Sequence, residues 1–101
     1  MLLAQVLGTV VSTRKDRGLV GLKLLLTREV DGGFKPTGNY VVAADAVGAG
    51  ADEIVLLAQG SSARMTEVSR EKPVDAVIVG IVDAVEIDGK DVYLKRAKVA
   101  R

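Results

Sequence analysis

Residues 45–64 read DAVGAGADEIVLLAQGSSAR, and this stretch decides the fold that the sequence predicts. Two glycine-rich turns, Asp45–Gly50 and Gly60–Arg64, flank a short apolar strand at Ile54–Ala58. Glycine is favoured where the backbone needs a positive φ or where another backbone comes very close. Because neither turn carries an evident catalytic side chain, we expect the stretch to serve the packing of chain against chain rather than a chemical site.

Apolar runs on both sides of this stretch predict further strands. The predicted strands cover residues 2–13, 22–30, 40–44, 53–59, 76–87 and 91–94, with a loop over 31–39. Asp88-Gly89 between the last two strands is a strong hairpin signal. Ser61–Thr66 predicts one helical turn with Ser61 or Ser62 as its N-cap. The sequence therefore predicts an all-β fold, a small closed barrel of five or six strands with one short helix.

Composition excludes several classes of function. The chain of 101 residues is expected to form a single domain, with a barrel core over about 1–94 and a basic tail over 95–101. It has no histidine and no cysteine, so the commonest general base and the usual zinc ligands are missing. We therefore expect neither an enzyme nor a metal or cofactor protein.

Charge and hydropathy exclude further partners. A net charge of +1 gives no long-range attraction for nucleic acid or an anionic membrane. No apolar run approaches the roughly 20 residues of a membrane span. The sequence is thus that expected of a cytoplasmic protein that binds neither nucleic acid nor membrane.

Two strands are apolar on both faces, which suggests an oligomer. These are the first strand and the strand around residues 77–82. A barrel interior buries one face of each strand, and strands buried on both sides are normally covered by helices. Since the sequence predicts almost no helix, we expect another protein surface to cover the outer faces.

Chemical alternatives find little support in the sequence. The turn Gly48-Ala49-Gly50 lacks the third glycine and the following helix of a dinucleotide-binding loop, because Glu53 and a strand follow it. The acidic residues show no spacing that marks a catalytic pair. Backbone amides at Gly60-Ser61-Ser62 could bind an anion, but a capped turn is the simpler interpretation.

The alternative function is the binding of single-stranded nucleic acid by an OB-like barrel. Such barrels stack bases on aromatic side chains and follow the backbone with basic ones. The chain has basic clusters over 14–23 and 95–101, but only three aromatic residues, all near loops or strand ends. A solvated rim explains the basic clusters more simply.

Taken together, five segments of the chain resemble the vertex proteins of bacterial microcompartment shells, the family that includes the carboxysome and ethanolamine-utilisation pentamers. The segments are VLGTVVSTRK (6–15), LVGLKLL (19–25), ADAVGAG (44–50), GSSAR (60–64) and PVDAVIVGIVD (73–83). Each is weak alone, but in this order over residues 1 to about 94 they are highly specific. The resemblance implies a barrel subunit in a cyclic pentamer. Such pentamers close the corners of a shell built mainly from hexameric shell proteins.

The resemblance and the burial argument suggest three surfaces. We expect the pore around the ring axis to be lined by Gly60, Ser61, Ser62 and Ala63. We expect the subunit interface to include Asp45, Gly48, Gly50, Arg64 and Gly80. The rim that meets hexameric shell proteins would carry Arg14, Lys15, Arg17 and Lys23.

Two of these expectations have specific reasons. Arg64 should turn away from the axis toward Asp45 or Asp75 of its own or the next subunit, because a ring of unpaired like charges is unfavourable. Gly80 lies within the strongest predicted strand, where glycine is costly unless something approaches closely. We therefore expect a backbone or a bulky side chain over Gly80.

Overall fold

A computed structural model describes residues 1–95 and builds them mainly from strands. The strands are β1 (Leu2–Val10), β2 (Leu24–Val30), β3 (Pro36–Asp45), β4 (Ile54–Gln59), β5 (Ala76–Ile81), β6 (Ala84–Ile87) and β7 (Lys90–Leu94). Two short 3₁₀ helices lie at Arg17–Leu19 and Gly60–Arg64. Within the described residues, no helix is long and apolar enough to cross a membrane. Apart from Lys95, the predicted basic tail lies outside the described residues.

Strands β1 to β5 close into a barrel in the order β1-β2-β3-β5-β4, and β4 pairs with β1 to complete the circle. Neighbouring strands are antiparallel except β3 and β5, which run parallel where Ala44 and Asp45 face Val77 and Ile78. The closed five-stranded barrel confirms the predicted fold class. Closure also leaves no strand edge open within the barrel.

The barrel interior is filled by alternating side chains from the five strands. Its buried cluster contains Ala4, Val6, Leu25, Ala43, Val55, Leu57, Ala76 and Ile78, joined by Ala49 from the turn after β3. Small and large aliphatic side chains together fill so narrow an interior. The barrel interior is therefore a packed aliphatic core.

A second buried cluster lies on the outside of the barrel and corrects part of the oligomer argument. It joins Ala44, Ala58, Ala63 and Val77, with Val74 packed against it. The second apolar face of β5 is thus covered at Val77 by the segment that connects β4 to β5. The need for another protein surface is limited to outer faces that this segment leaves exposed.

The predicted strand 76–87 is in fact two strands. The β5 strand ends at Ile81, and the amide of Val82 still donates to the carbonyl of Ile54 on the neighbouring strand β4 at 2.8 Å. The chain then turns into the separate β6–β7 hairpin. The hairpin turn is as predicted, because Asp88 (φ 53°) and Gly89 (φ 79°) both adopt the left-handed conformation of a type I′ turn.

Other boundaries also differ from the prediction, the largest differences being at the end of β1 and the start of β3. β1 ends at Val10 rather than residue 13, because the chain leaves the barrel there for the first 3₁₀ helix. The last four residues of the predicted loop 31–39 belong to β3, which begins at Pro36. The real turn is short because the Asp31 carboxylate accepts hydrogen bonds from the amides of Gly33 at 2.8 Å and Lys35 at 3.0 Å.

Candidate assembly surfaces

The turn after β3 is shaped by the side chain of Asp45. Its Oδ1 accepts hydrogen bonds from the amides of Val47 and Gly48, and its Oδ2 accepts one from the amide of Ala49, all at 3.0 Å. Gly48 has φ 78°, which favours glycine. The Asp45 carboxylate is therefore engaged within its own subunit, and the expected pairing of Arg64 with Asp45 is not seen there.

Glu53 connects this turn to the end of the hairpin. Its Oε1 accepts a hydrogen bond from the amide of Gly50 at 2.5 Å, and its Oε2 forms an ion pair with the Lys95 ammonium. The amide of Lys95 also donates to the carbonyl of Asp83 at 2.9 Å. The contact with Lys95 holds the pKa of Glu53 below its usual value and raises the pKa of Lys95. Glu53 thus fastens the β6–β7 hairpin to the barrel.

This fastening should depend on pH. Since the pKa of Glu53 in the folded chain lies below its ordinary value of 4.5, the stabilisation is present above that value and is lost as the pH falls through the folded pKa. We predict that wild type and Glu53→Gln differ modestly in unfolding free energy near neutral pH and converge as the pH falls below the folded pKa of Glu53. Urea unfolding at several pH values measures this difference. A gap that does not change with pH would show that the ion pair contributes nothing.

The segment Gly60–Arg64 is a 3₁₀ helix whose start differs from the prediction. The residue before it is Gln59, and no side chain caps it, so the expected N-cap at Ser61 or Ser62 is wrong. The amide of Gly60 donates instead to the carbonyl of Asp75 at 2.9 Å, with Gly60 at φ 64°. This bond ties the helix to the start of β5.

Only part of this segment is available for the predicted pore lining. Gly60, Ser61 and Ser62 are exposed, whereas Ala63 is completely buried in the outer cluster. The side chain of Ala63 therefore points into its own subunit and cannot line an opening. Its small size serves close packing against the barrel wall.

Beyond Ala63 the chain presents two exposed side chains. Arg64 is exposed, and Met65 is 79% exposed. Among residues 1–95 the one ion pair joins Lys95 to Glu53, so Arg64 pairs with no carboxylate of its own subunit there. Asp75 is likewise exposed and unpaired within the described chain.

The predicted rim residues lie together on the β1–β2 connection. Arg14, Lys15, Arg17 and Lys23 are all exposed. The loop is held by local bonds, since Asp16 Oδ1 accepts from the amide of Gly18 at 2.7 Å. The amide of Asp45 also donates to the carbonyl of Lys23 at 2.9 Å, which joins the end of this loop to β3.

Gly18 makes a close contact that the sequence does not predict. A Cβ at this position would lie 2.6 Å from Pro73 Cδ, closer than real side chains approach. The first 3₁₀ helix therefore rests directly on Pro73. The sequence contains no sign of this contact, because the two residues are far apart in the chain and meet only in the folded barrel.

Beside this contact lies an apolar groove of about 140 Å³. Its walls are formed by Leu19, Leu24, Val42, Ala44, Pro73 and Val74. The carboxylate-bearing Asp75 also lines it. These seven residues define the groove, which is an open apolar surface with one acidic residue.

The outer face of β1, β2 and β3 continues from the groove. Leu26 is paired with Gly8 on β1 and with Val42 on β3, and Leu24 is paired with Val10 and Ala44 in the same way. These rows face outward, because the alternate residues Leu25 and Ala43 point into the core. Val42 is 47% exposed. This apolar sheet face stays partly exposed in the single subunit, so another protein surface is still expected to cover it.

Comparison with known proteins places the chain in a family. A family model described as "Ethanolamine utilisation protein EutN/carboxysome" matches residues 1–83. The chain belongs to this family. It is 45% identical over 95 residues to the bacterial microcompartment shell vertex protein EutN of Salmonella typhimurium, covering 94% of this chain and 96% of the relative.

Solved structures of the EutN/carboxysome family share the barrel. The structure of Gloeobacter violaceus CcmL has a TM-score of 0.91 at 47% identity and covers 95% of this chain and 99% of that chain. The GrpN pentameric microcompartment shell protein from Rhodospirillum rubrum has a TM-score of 0.77 at 46% identity, with 86% and 98% covered. These comparisons confirm the resemblance that the five sequence segments indicated.

As in the sequence expectation, a bulky side chain lies over Gly80 of this family member. Gly80 faces Leu56 across the β4–β5 pair, and a Cβ on Gly80 would lie 3.3 Å from Leu56 Cδ1. The close neighbour belongs to the same subunit. The expected contact of Gly80 with a second subunit stays a prediction.

We predict that Gly80→Val destabilises the chain by about 1 kcal/mol despite the better strand propensity of valine. The branched side chain would push against Leu56, whereas Gly80→Ala needs a shift of only a few tenths of an ångström. Thermal unfolding of both variants measures the effect, with Gly80→Ala as the smaller matched change. Equal or higher stability of the valine variant would refute the packing argument.

The aromatic residues offer little to the nucleic-acid alternative. The rings of Phe34 and Tyr93 pack on each other with centroids 5.1 Å apart, joining the β2–β3 turn to the hairpin. Tyr40 is therefore the one aromatic residue with a mostly exposed side chain. Base stacking along a strand normally uses several such platforms.

Proposed function

We propose that this protein is a structural, non-enzymatic subunit that assembles into homopentamers and closes the vertices of a bacterial microcompartment shell. The observation that carries the proposal is near-full-length similarity to shell vertex proteins at 43–49% identity, including a relative solved as a pentameric shell protein. A ring of five fits a five-fold corner, while hexameric shell proteins supply the faces.

The outer surface of the subunit supports a ring. The face around Val42 and the neighbouring groove expose aliphatic side chains to water on the outside of the barrel. Contiguous exposed apolar surface of this kind marks protein–protein contact sites. In a cyclic ring each subunit presents two different surfaces, and each binds the other surface of its neighbour. The turn formed by Asp45, Gly48 and Gly50 and the strand residue Gly80 remain proposed contributors to that interface.

The ring would leave an opening on its axis. Gly60, Ser61 and Ser62 are exposed, small and polar, and we propose that they lie nearest the axis. A lining of this kind would let subunits approach closely without bringing charges together.

The basic loop between β1 and β2 would face the hexameric shell proteins. Arg14, Lys15, Arg17 and Lys23 are free of ion pairs among the described residues and stand in solvent. Charges at an interface rim govern orientation and salt sensitivity more than total affinity. The proposed partner surface on the hexamers is therefore acidic.

Incorporation into shells tests this function. The chain is co-expressed with hexameric shell proteins, and purified shells are assayed for its presence. We expect wild type to be incorporated and Arg14→Glu with Arg17→Glu to remain pentameric but to be largely lost from shells. The control, Lys35→Glu with Lys90→Glu, makes the same charge change on exposed sites away from the loop.

The outcomes separate the two claims. Shells that exclude the wild-type chain would refute the vertex function. Shells that take up the Arg14 and Arg17 variant as well as wild type would refute only the rim assignment.

A further inference from the structure

We propose that, in the ring, Met65 of one subunit fills the groove of the next subunit and that the adjacent Arg64 pairs with Asp75 of that next subunit. This inference rests on the pentamer proposed above and names the contact that holds it together. It also assigns an occupant to the groove.

The groove has the size and chemistry for one large aliphatic side chain. Its volume is about 140 Å³, and its walls at Leu19, Leu24, Val42, Pro73 and Val74 are apolar. An apolar cavity of about 150 Å³ accepts a molecule the size of benzene. An unbranched thioether side chain adapts readily to such an irregular space.

Met65 is presented as a projecting apolar side chain. It follows the 3₁₀ helix directly, and its amide donates to the carbonyl of Ser62 at 3.2 Å, which fixes where the chain leaves the helix. The side chain is nevertheless 79% exposed. A large apolar side chain held in water by an ordered turn is the kind of group that a subunit interface covers.

The charges beside the two features are complementary. Arg64 precedes Met65, and Asp75 lines the groove. Neither has an ion-pair partner among residues 1–95. Asp45, the other carboxylate considered for Arg64, already accepts three backbone hydrogen bonds in its own turn. We therefore assign the partner of Arg64 to Asp75 of the neighbour, which is exposed at the groove that Met65 would fill.

The positions of the two features on one subunit fit a closed ring. The bond from the Gly60 amide to the Asp75 carbonyl places the 3₁₀ helix close to the groove on the same subunit. In a ring, the two different contact surfaces of each subunit converge toward the axis. A projection and a groove that lie close together therefore belong near the axis, where Gly60, Ser61 and Ser62 are proposed to line the pore.

A charge exchange tests the ion pair. We expect Arg64→Asp and Asp75→Arg alone each to raise the concentration of half-assembly by at least about tenfold, because like charges then meet at the interface. Combining both changes in one chain should restore assembly. Arg14→Asp is the matched control, since its charge lies on the proposed rim and its ring should stay intact. Analytical ultracentrifugation over a dilution series gives the measurement.

Cysteine cross-linking tests the position of Met65 independently of stability. The chain has no cysteine, so introduced thiols have no competing partners. A chain with Met65→Cys is mixed with a chain carrying Val42→Cys, refolded together and oxidised. We expect a covalent dimer of the two different chains. The control replaces Val42→Cys by Thr37→Cys at the far, exposed end of β3, where no such dimer should form.

The results distinguish this inference from the function itself. A pentameric wild type whose single charge reversals assemble normally, or whose Met65 and Val42 cysteines fail to cross-link, overturns the contact and leaves the vertex function standing. A wild type that stays monomeric overturns both.

Discussion

Replacing Asp45 by alanine is expected to lower the free energy of unfolding by about 2–3 kcal/mol. The substitution removes the acceptor of three backbone hydrogen bonds, from the amides of Val47, Gly48 and Ala49. Ala49 is buried in the barrel core, so its amide cannot turn to water without opening the turn. The consequence should extend beyond stability, because the turn forms one of the proposed subunit contacts.

Chemical denaturation of the alanine variant measures the loss. Asp45→Asn should fall between wild type and alanine, because it keeps one acceptor oxygen but turns a donor toward one of the amides. Asp52→Asn is the matched control on an exposed acidic residue of the same connection, and it should leave the stability nearly unchanged. If Asp45→Ala unfolded at the same denaturant concentration as wild type, the turn would not depend on this carboxylate.

Replacing Gly18 by alanine is expected to cost about 1–3 kcal/mol and to loosen the β1–β2 connection. The new methyl group would lie 2.6 Å from Cδ and 3.1 Å from Cγ of Pro73, so the 3₁₀ helix at Arg17–Leu19 would have to move. This helix carries a wall of the groove at Leu19. The variant should therefore also assemble less well.

Two further variants isolate the steric cause. Gly32→Ala is the matched control, because a Cβ there meets nothing within 4 Å, and it should leave the stability unchanged or slightly improved. Adding Pro73→Ala to Gly18→Ala removes the ring atoms that cause the clash and should recover part of the loss. A Gly18→Ala chain as stable as wild type would show that the loop does not rest on Pro73.

The features that the sequence predicted correctly depend on local chemistry. Asp88-Gly89 predicts its turn because both residues tolerate the left-handed backbone that a two-residue hairpin requires. The alternation of aliphatic side chains likewise predicts strands wherever a core is present. These properties are contained within a few neighbouring residues, so a single sequence is enough to find them.

The features that it missed depend on contacts between distant segments. The apolar pattern continues through Val82, so nothing local marks the end of β5, which comes where its partner strand β4 begins at Ile54. Ala63 is buried because the β4–β5 connection folds back over Val77. The same fold-back removed part of the predicted need for a partner surface. Neither contact can be inferred before the barrel order is known.

Assembly is the property that a single chain shows least directly. The exposed face around Val42 indicates that a surface remains to be covered, and it does not fix the number of copies. The number five comes from the family, through a relative solved as a pentamer. The proposed contact between Met65 and the groove would cover part of this surface in a ring of five, and the charge exchange and the cysteine pair test it.

Native mass spectrometry of the purified protein at micromolar concentration is the sharpest test of the proposed ring. We expect one dominant species with five times the 10.6 kDa mass of the chain. A six-membered ring would keep the argument for a covered outer face but would contradict the vertex assignment, because it cannot fit a five-fold corner. A species with the mass of a single chain across the whole concentration range would contradict both the ring and the vertex function.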